Sequence, residues 1–138
     1  MKSFRTEIEI SAQAETVWTV LTQKMPVNPE LYGIIRLEGT IAPGAQLKLW
    51  SEAAPKTAFS LSVASMDPPK EMVWKGGMPL GLFVGTRVFS LETIQTGCKF
   101  TMQEDFTGLL SGLITRSMPD LTPSFTKFAH TLKSEAEK

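Results

Sequence analysis

Hydrophobic residues recur along this chain with two periods, and each switch between them marks a new element. Phe4, Thr6, Ile8 and Ile10 alternate with Arg5, Glu7 and Glu9, the pattern of a strand with one wet face. Ser11 is placed to cap the next segment, where Val17, Trp18, Val20 and Leu21 form a helical stripe to about residue 23. Pro26 and Pro29 break that stripe and leave room for one short helical turn at residues 29–32. The period then returns to two. Strands are predicted over 34–38, 46–50, 57–66 and 71–75, with turns at Ala42-Pro43-Gly44-Ala45 and Asp67-Pro68-Pro69-Lys70. Residues 76–81 read as a glycine-rich loop. After Gly108 the helical period resumes. Leu109, Leu110, Leu113, Ile114 and Met118 suit one helix face, and Pro119 stops or kinks it. Leu121, Phe125, Phe128, Ala129 and Leu132 suit a longer helix.

Between the loop and Gly108 lies the most informative stretch. Phe83, Gly85, Arg87, Phe89 and Leu91 share one face of a strand, and Cys98, Phe100, Met102, Glu104 and Phe106 share one face of the next. A turn centred on Gln95-Thr96 sets residue 91 opposite 100, 89 opposite 102 and 87 opposite 104. Arg87 and Glu104 then meet among aromatics, and a charge in such a place needs a partner or a purpose.

One strand, short helices, about six strands and a long C-terminal helix define an α+β protein. Short turns between consecutive strands favour an antiparallel meander, and its apolar face needs a helix to cover it. A helix laid across a strongly curved sheet leaves space for a pocket lined mainly by apolar side chains.

Composition narrows the function. At 138 residues the chain reads as a single domain, residues 1–138. Fourteen basic and fourteen acidic residues cancel, so no electrostatic footprint for nucleic acid is expected. The lone Cys98 cannot form an internal disulfide. No export signal or membrane-length apolar run is evident, so a cytoplasmic protein without membrane insertion is expected. One histidine, His130, and one cysteine offer neither a metal cluster nor a nucleophilic triad, and no cofactor is implied. Residues 76–81 lack the Gly-Lys-Ser/Thr ending of a phosphate loop, so they are either a flap over a cavity or a plain connection.

Several phrases, in order, resemble one family. Ile8-Glu9-Ile10-Ser11-Ala12 followed by Glu15-Thr16-Val17-Trp18-Thr19-Val20-Leu21 is similar to the opening of the SRPBCC (START/Bet v 1-like) superfamily. Within it the likeness is to the polyketide cyclase/dehydrase and lipid-transport type. Val63-Ala64-Ser65-Met66-Asp67-Pro68-Pro69 with Met72-Val73-Trp74-Lys75-Gly76 resembles its middle hairpin. Residues 87–91 and 100–108 resemble its last two strands. Gln23-Lys24-Met25-Pro26 departs from the acidic residue and aromatic usual there. The resemblance implies a helix-grip fold, a curved antiparallel sheet wrapped around a long C-terminal helix, with a cavity between them. It brings no shared catalytic motif.

On this reading the ligand-binding candidates are Trp74, Phe59, Phe89, Met102, Glu104, Arg87 and Tyr32, and the partner is a small hydrophobic or aromatic molecule; any protein partner is unspecified. Trp74, Phe59, Phe89 and Met102 have plain core packing as their alternative, and Tyr32 a place on the surface or at a hinge. Glu104 and Arg87 are also the catalytic candidates for a cyclase or dehydratase, with Glu104 as general acid/base, or else they form a structural cross-strand ion pair. A third reading, which the resemblance also allows, is an Aha1-like chaperone-associated interaction domain.

Overall fold

The computed structural model describes residues 2–138. Strand β1 (Lys2–Ile10) leads to helix α1 (Ala14–Thr19), which continues as a π-helical turn through Val20–Lys24 and is followed by a 3-10 turn at Pro29–Tyr32. Six strands come next: β2 (Ile34–Glu38), β3 (Gln46–Ser51), β4 (Ala54–Asp67), β5 (Glu71–Gly77), β6 (Val84–Ile94) and β7 (Gly97–Thr107). Helices α2 (Ser111–Arg116) and α3 (Thr122–Ala136) close the chain. The seven strands form one antiparallel sheet in the order β1-β7-β6-β5-β4-β3-β2. Each of β2 to β6 pairs with the next, and β1 adds the far edge against β7.

The β6–β7 hairpin turns at Gln95 and Thr96, and its register is the one its alternation implies: Leu91 opposite Phe100, Phe89 opposite Met102, Arg87 opposite Glu104. α3 crosses the concave face of the sheet. Its buried residues, Phe125, Phe128, Ala129, Leu132 and Ala136, follow helical spacing. The Phe128 ring meets Tyr32, Phe89 and Phe100 at centroid distances of 5.2, 6.0 and 6.2 Å. Phe125 meets Phe4 at 6.2 Å. Burying each such ring contributes roughly 1.5–3 kcal/mol, so this face anchors α3.

Three details differ from the sequence expectation. Ser11 does not cap α1, whose N-cap is Gln13 without a side-chain bond; the Ser11 backbone N–H donates to Glu137 Oε2 at 2.8 Å. Only residues 111–116 of the apolar run after Gly108 are helical, and Leu109 and Leu113 face solvent. Gly76 and Gly77 belong to β5 and not to the loop, because both pair with β6.

Candidate functional site

The antiparallel register arranges the concave face in cross-strand rows. Val63, Trp74, Arg87, Glu104 and Phe4 are successive partners across β4, β5, β6, β7 and β1. The neighbouring row on one side holds Met72, Phe89 and Met102. All three are buried, and Phe128 lies against Phe89. The neighbouring row on the other side holds Leu61, Gly76, Gly85 and Phe106. Two paired glycines put no side chain on the sheet there, and glycine inside a strand often marks a place where something else approaches the backbone.

That gap is the floor of a cavity of about 500 Å³. Leu49, Phe59 and Leu61 line it from β3 and β4, Met78 and Phe83 from the β5–β6 connection, and Ile114, Met118 and Leu121 from the α2–α3 side. Phe83 stacks on Phe106 at 5.5 Å and completes the wall. The connection is held to the start of α2 by the Leu110 N–H, which donates to the Leu82 carbonyl at 2.8 Å. Leu80 in that connection has a left-handed φ of 61° and is 96% exposed; Leu109 and Leu113 are exposed as well.

The charged lining residues are Arg87 and Glu104. Arg87 Nε and Nη2 both donate to Glu104 Oε1, at 2.8 and 2.5 Å. The side chains are 21% and 13% exposed. The guanidinium also lies 4.9 Å from the centre of the Phe125 ring, so the pair joins the sheet to α3. Because both bonds converge on Oε1, Oε2 has no protein donor among the described residues. It overhangs the glycine floor: a Cβ built at Gly85 would lie 2.8 Å from it. Trp74, also in the lining, is 2% exposed, and its Nε1 is the one buried side-chain nitrogen or oxygen among the described residues without a hydrogen-bond partner. A buried indole N–H usually finds an acceptor.

The structure therefore brings Trp74, Arg87, Glu104 and Phe59 to one cavity, with Phe59 at its edge and 42% exposed. Phe89, Met102 and Tyr32 do not line it. Phe89 and Met102 lie one row deeper, where α3 closes onto the sheet. Tyr32 is turned under α3 against Phe128 by the 3-10 turn that carries it. Burial, and secondarily the charge of Glu135, pushes its phenol up to about 12. Trp18 is buried on α1, and Trp50 is half-buried with the Arg36 guanidinium 5.5 Å from its ring. Burial, then Glu15, raises the Cys98 thiol, which does not favour a nucleophile. The sequence reading missed the glycine floor, although two glycines in phase with inward-facing residues were its signal. It also missed the cavity side of the α2–α3 segment.

A curved antiparallel sheet gripping a C-terminal helix over an apolar cavity defines a helix-grip protein. The chain belongs to the family described as "Polyketide cyclase / dehydrase and lipid transport", whose model matches residues 1–137. No curated protein matches it in sequence. Among solved structures it is similar to protein MLL2253 from Mesorhizobium loti, at 16% identity and TM-score 0.72, covering 96% of this chain and 95% of that one. It is similar to the Aha1 dimer from Colwellia psychrerythraea, at 17% identity and TM-score 0.73, over 99% of this chain and 97% of that one. It is also similar to the di-domain ARO/CYC StfQ from the steffimycin biosynthetic pathway, at 12% identity and TM-score 0.73, over 98% of this chain and 50% of that one. At these identities the likeness is one of fold. No helix among the described residues is long and apolar enough to cross a membrane.

Proposed function

We propose that the protein binds a small apolar molecule in the cavity between the sheet and the α2–α3 segment. The observation that carries this reading is the cavity itself: about 500 Å³, mainly apolar walls, and its two charged side chains together on the row beside the glycine floor. Such a distribution suits a ligand held by apolar burial and oriented by one polar end. The test is a fluorescence titration with an apolar probe of matching size. Trp74→Phe should remove most of the response, while Trp18→Phe and Trp50→Phe leave it. A response that follows Trp50 instead would put binding on the outer surface and end this reading.

A second reading is favoured by the unbonded Glu104 Oε2. In a cyclase or dehydratase, Glu104 would take or give a proton at a substrate carbon or hydroxyl, and Arg87 would hold the carboxylate in place. Turnover that Glu104→Gln abolishes while binding persists would favour the enzyme over the binding protein.

A further inference from the structure

The chemistry of the cavity's polar end restricts what it accepts. Its lining carries one cation and one anion, and these already neutralise each other. A ligand bearing a third charge would lose its hydration and find no free counterion, and a buried unpaired ion is costly. What the lining leaves unused is one hydrogen-bond acceptor within the neutralised pair, the free Oε2 of Glu104. A hydroxyl donates to such an acceptor and needs no counterion. The floor itself is closely covered. Gly76 and Gly85 are cross-strand partners, and Cβ atoms there would come within 2.5 Å of the Leu61 side chain and 2.8 Å of Glu104 Oε2.

We propose that the cavity selects a neutral apolar molecule carrying a hydroxyl, and excludes carboxylates and amines of the same shape. This rests on the ligand-binding reading above. Four probes separate the two ideas by calorimetry at neutral pH: naphthalene, 2-naphthol, 2-naphthoate and 2-naphthylmethylamine. 2-Naphthol should bind about tenfold more tightly than naphthalene, the gain of a hydrogen bond to a charged group. It should also bind about tenfold or more tighter than either ion, the cost of an uncompensated charge. Glu104→Gln should narrow the first ratio and let naphthoate bind, because Arg87 is then free to meet it; if that variant fails to fold, the wild-type ratios still decide. Naphthoate binding as well as naphthol, or naphthalene binding as well as naphthol, overturns the selectivity while ligand binding stands. Binding of none of the four removes both.

Discussion

Two stretches of one sheet, built from the same strands, have opposite characters. Where Met72, Phe89 and Met102 line the concave face, α3 seats Phe128 against Phe89 and all three are buried. Four residues away along β5 and β6, beyond the Trp74–Arg87–Glu104 row, glycines replace large side chains and the space is a cavity. The pairing of β5 with β6 does not distinguish these regions, since its register is unbroken through both. Side-chain volume does. The closed region holds the fold together, and this leaves the open region free to carry charged groups and empty volume that a core would not tolerate.

The comparison is broken most forcefully at Phe128. Phe128→Ala should cost about 3–5 kcal/mol in denaturant melts, as large-to-small changes among well-packed rings do. A cost below about 1 kcal/mol would mean the closed region is not the anchor. The ion pair comes next. Arg87→Met or Glu104→Gln alone should destabilise by less than the about 3–5 kcal/mol of a fully buried pair, because the cavity lets water reach both side chains. The double variant should recover part of that loss, and a double-mutant cycle measures the coupling. Absence of coupling would contradict the shared Oε1 geometry. Gly85→Ala should change stability less than Phe128→Ala yet weaken probe binding, because its Cβ displaces Glu104 Oε2; unchanged binding would separate the floor from the site.

The smallest effect lies at high pH, in the closed region. The phenol of Tyr32 titrates at about 12 in the folded protein, above its ordinary value of 10.0. Below pH 10 this group's contribution is constant. Between about pH 10 and 12 the unfolded chain has lost the proton that the folded protein still holds, so stability falls as pH rises. Tyr32→Phe should flatten that part of the stability profile, and an unaltered slope would mean that the phenol is not held protonated by burial.

Much of the fold is legible in the sequence, for a stated physical reason. Residues 87–91 and 98–106 alternate with period two around a two-residue turn, and burial of one face then permits a single register. That register alone places Arg87 on Glu104. The α3 stripe is legible because its apolar residues recur at helical spacing up to Leu132. Less of the site is legible. Gly76 reads as loop when only local turn propensity is considered, since its strand character comes from pairing with Gly85 on another strand. Tyr32 sits beside the sheet in sequence, but the 3-10 turn decides where its ring goes. The extent of α2 is hidden too, because Leu109 and Leu113 fit a helical pattern that the fold leaves exposed.

The placement of β1 has a consequence in time. The β6–β7 hairpin pairs two strands consecutive in sequence across a two-residue turn. The pairs of β1 with β7 do not: the Ser3 hydroxyl donates to Asp105 Oδ1 at 2.6 Å across a separation of 102 residues. Closing so long a loop is slow compared with zipping a hairpin. On the ribosome β1 is made well before its partner exists, so it waits as an amphipathic strand with an unfilled hydrogen-bonding edge. The sheet can be completed only after β7 has emerged, which makes the docking of β1 a late folding step and its apolar face the segment most in need of protection from other chains until then.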